Sequence, residues 1–319
     1  MRHYIIRRLA ISIPIILGVT IITFILTELM PGDFVDAMIP PDKAVTMSPE
    51  RVQAMREAYG LDKPPYLRYL LWLREVTRGN LGYSLASGEP MLKEVFKRAP
   101  FTLQLTLSAL TFGVVAGVTL GIISAVKQYS WVDQILTVLG FVWISTPSFV
   151  FGIGAIALFA LKLRLFPAMG GWVYGETPSL ATRLHHMVLP VAVLGLGSVA
   201  TFMRYTRASI LDVIRQDYVT VARAKGFRER YILLRHTLRN ALIPLITLVG
   251  LEIPWLLSGS IIIESVFVWP GIARYTLQGV HSRDYTLIMG VNLIAALTVV
   301  IANLLTDLTY AVVDPRIRY

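Results

Sequence analysis

The chain contains no cysteine, so it can form no disulfide and offers neither a thiolate nucleophile nor a Cys-ligated zinc site. Charge is scarce as well, at 16% Asp, Glu, Lys and Arg. No G-x-x-x-x-G-K-S/T phosphate loop occurs anywhere in the sequence, which excludes nucleotide hydrolysis by this chain itself. H-E-x-x-H is also missing. Ser198 follows Gly195 and Gly197 without the G-x-S-x-G frame of a nucleophilic serine, which weakens the reading as an intramembrane hydrolase. The adjacent His185 and His186 read either as a metal or proton site or, more simply, as a polar edge at the end of an apolar segment. No internal repeat or low-complexity tract is visible, and no enzyme is expected.

Hydrophobic residues are abundant. They make up 55% of the chain, and mean hydropathy is +0.62, outside the range of an ordinary soluble domain. A hydrocarbon core of about 30 Å takes about 20 apolar helical residues, and six segments supply them. The expected spans are about 9–29, 101–126, 134–161, 186–203, 241–263 and 285–311. The first is too long for a signal peptide and ends on Glu28, Leu29, Met30, Pro31 and Gly32 rather than a small-residue cleavage site. It is therefore kept as a span. The expectation is an all-α membrane protein of six transmembrane helices forming a single domain, 1–319, with no detachable module.

The formal net charge is +10, yet the basic residues do not make a nucleic-acid surface. They sit in short connections, where Lys/Arg bias reports topology. The segment 204–239 carries nine Lys/Arg against three acids. With Arg2, Arg7 and Arg8 at the front, it places the N-terminus, this segment and the C-terminal tail (Arg316, Arg318) in the cytoplasm. The 30–100 segment then lies outside, as an extracytoplasmic insertion. Within it Ser48 suits an N-cap, Pro49 a first turn and Gly60 a stop, and a second amphipathic helix is expected over 65–78, ended by Gly79. Two helices are too few for an independent core, so they should lie on the outer membrane face or cap the bundle.

Polar and kink-forming residues inside the spans are the suspects for a pathway. A charge at mid-bilayer costs about 2.5–3.5 kcal/mol on insertion scales. Glu252, near the middle of the fifth span, should therefore face a hydrated path or a structural partner. Asp307 lies near a span end and can reach the headgroups. Pro14, Pro147, Pro190, Pro244 and Pro254 fall inside spans, either as hinges or as the ordinary proline content of membrane helices. Pro244 and Pro254, together with Glu252, form the possible pathway set. Two ionisable residues are few for an ion-coupled carrier, which points to energy supplied from outside the membrane domain.

The 204–239 segment is where that energy could enter. A short helix over 218–225, capped by Asp217, is expected to end at Gly226, which suits a left-handed helix stop. Val219, Ala222 and Gly226 share a face, and their small size would allow another surface to come close. A second helix should follow over 228–237. Helix–Gly–helix flanked by basic residues is a docking shape; the competing reading is a basic loop lying on anionic lipid.

Ala222 and Gly226, followed after eleven intervening residues by Leu238, resemble the EAA loop of permease subunits from bacterial ABC importers. Thr220 stands where that motif has Glu, Val221 replaces its first Ala, and Arg239 occupies the usual Pro. Further runs resemble the oligopeptide/dipeptide branch: Asp217 to Gly226, Arg235 to Leu242, Pro31-Gly32-Asp33, Tyr59 to Asp62, Trp269-Pro270-Gly271, and Val313 to Arg316. The resemblance covers the whole chain and is nearest to the first permease of peptide importers.

It implies the type I ABC importer permease fold in the inner membrane of a bacterium. It also implies a heterodimer with a second homologous permease, two cytoplasmic ATPase subunits that bind ATP and Mg, an extracytoplasmic solute-binding protein, and a peptide substrate. This chain would hold no cofactor. By the same resemblance, Asp217, Tyr218, Ala222, Arg223, Ala224, Lys225 and Gly226 would form the ATPase-coupling site, with Ala222 and Gly226 in tight contact. Nickel, glutathione or another small solute is the alternative cargo on the same scaffold.

Overall fold

A computed structural model of the chain describes residues 2–39, 47–85, 87–171 and 179–313, without the side chains of 2–5, 243, 254, 255, 257–259 and 307–313. Asp307 as a side chain and the tail with Arg316 and Arg318 thus lie outside the described residues. Regular structure among them is helical, apart from one isolated antiparallel bridge between Tyr83 and Pro90. The residues form two compact units, Met1–Pro100 with Gly271–Leu304, and Phe101–Pro270 with Leu305–Arg318.

In the first unit, α1 (Arg2–Glu28) accommodates Pro14 without a break. Its apolar side chains are largely exposed, as in Ile13, Ile22 and Leu26. The insertion supplies α2 (Phe34–Met38), α3 (Pro49–Ala58) and α4 (Pro65–Thr77). Ser48 caps α3 by accepting from the Arg51 amide, and Gly60 and Gly79 end α3 and α4 at φ +68° and +80°. α4 packs along α1: Thr20 and Tyr69 share a hydrogen bond of 3.0 Å, and Arg68 donates to Glu28 at 2.9 Å. Met91 and Val95 from the start of α5 (Met91–Val126) bury against Tyr275 of α13 (Ile272–His281) and Leu287 and Val291 of α14 (Tyr285–Val313). Asp284 caps α14 through the Leu287 amide and accepts from Ser84 at 2.8 Å, which ties the 81–90 turn to the start of that helix.

The second unit is built around α8 (Leu180–Ile214), which packs on α6 (Trp131–Ser145), α7 (Ser148–Ala155) and α12 (Ile243–Val266). Its core joins Leu105 and Ala109 of α5, Leu189, Val193 and Phe202 of α8, Leu248 and Leu256 of α12, and Trp269. The α5–α8 contact is unusually close. A Cβ at Gly117 would lie 2.6 Å from Phe202 Cβ and 2.7 Å from the Val199 carbonyl, and one at Gly121 would lie 2.6 Å from Thr206 Cβ. Gly113, Gly117 and Gly121 recur every fourth residue, the small-residue spacing that lets membrane helices approach backbone to backbone.

Among the described residues four helices are long and apolar enough to cross a membrane, and two bent helix pairs bring the number to six if each pair is one span. Several expected boundaries move. The fourth segment, expected over 186–203, is a 35-residue helix that absorbs Pro190 and runs on to Ile214, so the first part of the 204–239 segment is helix rather than loop. The third, expected to be one helix over 134–161, breaks by 104° between Trp131–Ser145 and Ser148–Lys162. The cause is local. Pro147 has no amide to donate to Trp143, and the residue before a proline is pushed out of the helical region; Thr146 is extended at φ −97°, ψ 129°.

Candidate functional site

The 215–241 region folds into a compact knob. α9 (Asp217–Ala224) begins after Gln216, which occupies the N-cap position without a side-chain cap bond. Asp217 is therefore not the expected cap but a first-turn acid, placed favourably toward the helix dipole. Gly226 turns the chain at φ +79°. The following helix is longer than the expected 228–237: α10 (Glu229–Tyr231) leads into a π-helical run, Ile232–Thr237, and then α11 (Leu238–Ala241).

Val219 and Ala222 are buried against Ile232. This corrects the expectation that Ala222 shares an outward contact face with Gly226, because its small side chain serves a close approach within the knob itself. Outward lie Tyr218, Val221, Arg223, Ala224, Lys225, Gly226 and Phe227. Two hydrogen-bonded links and one ring stack stiffen this face. Asn240 donates to the Tyr218 hydroxyl at 3.0 Å. Arg223 Nε donates to Glu229 at 2.8 Å across the turn, which raises the guanidinium above its ordinary value and holds the Glu229 carboxyl below its own. Phe227 stacks on Tyr231 at a centroid separation of 5.1 Å. Val221 is 52% and Phe227 46% exposed, so two apolar side chains stand out on an otherwise basic surface.

The knob stands on α8. Ile210 of α8 buries with Ala125 of α5 and Ala241 of α11, with Leu233 and Leu238 packed beside them. Immediately above, Arg207 Nε and Nη2 each donate at 2.8 Å to the two oxygens of Asp133. That carboxylate also accepts from the Ser124 hydroxyl and the Tyr129 amide. One buried acid therefore fastens the end of α5, the start of α6 and the lower part of α8 together, a bidentate geometry that only arginine provides.

Further along α8, Ser198 Oγ donates at 2.8 Å to Glu252 Oε2 of α12. Glu252 is 8% exposed and borders a cavity of about 330 Å³. The lining includes Trp143, Thr146, Pro147 and Ser148 from the α6–α7 break and Gly197 and Thr201 from α8. Pro244 is exposed and lies in the first turn of α12, so it starts a helix after the bend instead of kinking a span from within. Pro254 falls on α12, and its side chain lies outside the described residues.

Family models match both parts of the chain. Residues 117–319 match the binding-protein-dependent transport system inner membrane component, and residues 1–106 match the N-terminal part of such membrane components. The chain belongs to this family. This transport component is thus a multi-pass inner-membrane protein and not an enzyme.

It is 39% identical to the oligopeptide transport system permease protein AppB of Bacillus subtilis (strain 168), over 100% of both chains. It is 42% identical to a putative peptide permease protein of Brucella suis biovar 1, over 100% of this chain and 99% of that one. A glutathione transport system permease protein, GsiC, of Escherichia coli O6:H1 is 35% identical over 100% of both. The fold matches an inward-facing structure of the MetNI methionine ABC transporter at a TM-score of 0.57 and 17% identity, over 71% of this chain and 99% of that one. It is the type I importer permease fold.

Within this membrane component the two places singled out in the sequence, the 217–226 turn and Glu252, are joined through α8. Three participants carry no local signal in the sequence. Asp133 and Arg207 are far apart in the chain, and Arg207 is one of nine basic residues in its segment. Ser198 has no motif that marks it as a carboxylate's partner. The every-fourth-residue spacing of Gly113, Gly117 and Gly121 was the one available signal for the α5–α8 contact.

Proposed function

We propose that this chain is one of two permeases forming the peptide pathway of an ATP-driven importer, and that its 215–241 knob is the docking element for a cytoplasmic ATPase. The observation that carries the proposal is the knob: exposed Val221 and the exposed Phe227–Tyr231 ring pair on a turn braced by the Arg223–Glu229 and Tyr218–Asn240 bonds and built onto the lower end of α8. Apolar patches rimmed by polar groups mark protein interfaces, and a patch on a braced support passes displacement to α8 instead of absorbing it. The basic charge of this segment argues for the cytoplasmic side, with both termini there. An external solute-binding protein and a second homologous permease complete the assembly. ATP and Mg belong to the ATPase subunits.

Peptide cargo follows the full-length likeness to permeases of oligopeptide and peptide systems. Glutathione is the second reading, favoured by the equally full-length likeness to a glutathione permease. The test is reconstitution of the complete transporter in proteoliposomes, with uptake of labelled trialanine and of glutathione measured side by side. Trialanine uptake that requires ATP and is lost in Val221→Arg, with the complex otherwise intact, is the expected result. Undiminished uptake in Val221→Arg would refute the docking role, and uptake of glutathione alone would refute the peptide cargo.

A further inference from the structure

We propose that the cavity at the α6–α7 break is a transit subsite for a primary ammonium group, the free N-terminus of a cargo peptide, with Glu252 as its counter-charge. The proposal rests on the peptide reading above.

The first argument is charge. Among the described residues the lining of this cavity includes one carboxylate, Glu252, and no lysine, arginine or histidine. A nearly buried acid in an apolar lining is costly unless it is bonded, and the bond present, from Ser198 to Oε2, involves one of its two oxygens. A carboxylate can accept at both. The cavity therefore favours a cation with hydrogens to donate.

The second argument is the break itself. Since Pro147 has no amide, the Trp143 carbonyl lacks its helical donor four residues on, and Trp143 is part of the cavity wall. Thr146, Ser148 and Thr201 add hydroxyl-bearing residues to the same wall. Acceptors are thus gathered where the third segment bends and α8 passes.

The third argument is size. At about 330 Å³ the cavity lies at the lower end of the about 300–1,000 Å³ range for small-molecule sites. That admits a terminal residue and its ammonium group, not a whole oligopeptide. A peptide would be held here by its end as it passes.

Position links the subsite to the rest of the molecule. Ser198, which orients the carboxylate, belongs to the helix that carries the knob at its lower end. A shift of α8 against α12 would lengthen the Ser198–Glu252 bond and change the site's grip on a cation.

The test uses the two permeases and two ATPase subunits in lipid nanodiscs, without the solute-binding protein and without nucleotide, measuring equilibrium binding of labelled trialanine and of N-acetyl-trialanine. Glu252→Gln keeps the shape and removes the charge. Expected is a loss of about tenfold or more in trialanine affinity, with N-acetyl-trialanine binding unchanged. Equal effects on both peptides, or no effect on either, would overturn the subsite. Labelling keeps the idea falsifiable should that variant not assemble. In this cysteine-free chain, Thr146→Cys should react faster with a cationic than with an anionic methanethiosulfonate, and trialanine should protect it. Equal rates, or a faster anionic reagent, would overturn the proposal. Uptake by the unmodified transporter separates the two levels: trialanine uptake with failed subsite tests leaves the peptide reading standing, whereas no peptide uptake at all overturns both.

Discussion

Ser198 and Arg207 lie nine residues apart on the unbroken helix α8, and each holds a carboxylate from a different helix: Ser198 holds Glu252 of α12, and Arg207 holds Asp133 of α6. At 1.5 Å per residue the two attachments are about 14 Å apart along the axis. A rigid rod with an attachment at each level is what a coupled movement between a surface knob and an interior cavity requires.

The lower attachment is the stronger. Asp133 is almost wholly buried and fully bonded, so removing its partner leaves an uncompensated charge. Arg207→Ala should cost on the order of 3 kcal/mol, read as a fall in the midpoint of thermal unfolding of the purified complex. Arg207→Lys should recover only part of it, because a single ammonium cannot reproduce the two parallel bonds. A double-mutant cycle with Asp133→Asn should show the two losses to be far from additive.

Close helix approach predicts a second cost. Gly117→Val puts methyl groups where Phe202 Cβ and the Val199 carbonyl already stand. Separation of α5 from α8 should lower stability by about 1–3 kcal/mol. Unfolding of the variant by graded denaturant would measure it, and an unchanged midpoint would mean that the two helices do not touch as described.

On the knob, neighbouring substitutions should separate docking from folding. Val221→Arg changes an exposed side chain and should abolish ATPase stimulation by cargo while leaving the unfolding midpoint within about 0.5 kcal/mol of the parent. Gly226→Arg meets open space but keeps a left-handed backbone, so it should cost about 1–2 kcal/mol and also uncouple. Ala222→Arg, by contrast, drives a charge into the contact with Ile232 and should lower stability before coupling can be read.

The Arg223–Glu229 bridge should show a defined pH dependence. Its folded-state Glu229 carboxyl lies below the ordinary value of 4.5, first through the hydrogen bond from Arg223. A depressed acid stabilises the fold at pH above the unfolded value and loses that contribution as pH falls through the folded one. Glu229 is 70% exposed, so the contribution is below about 1 kcal/mol and weakens in salt. Glu229→Gln should therefore be slightly less stable than the parent at pH 7, with the gap closing on acidification below about pH 4.5 and in high salt. A gap that persists in acid would contradict the bridge.

What was legible in the sequence follows from local rules. Apolar length marked the membrane helices, and Ser48, Gly60 and Gly79 marked the insertion helices, because caps and stops depend on a residue and its immediate neighbours. The left-handed turn at Gly226 and the burden of an acid at 252 were readable for the same reason. The family could be recognised from runs of residues that need no contact to be seen.

Other features depend on what lies across the bundle. Pro14, Pro100 and Pro190 sit inside continuous helices and Pro147 divides the third segment, so the presence of a proline does not by itself say which span will break. That Ala222 faces inward was invisible, because helical spacing defines a shared face but not which surface covers it. The Asp133–Arg207 clamp spans 74 residues, and the Ser198–Glu252 bond spans 54. No local pattern encodes such pairings. The sequence by itself thus determined the class of the protein and its helices; only the tertiary structure decided which polar groups meet inside it, because burial obliges each to find a partner wherever the fold brings one.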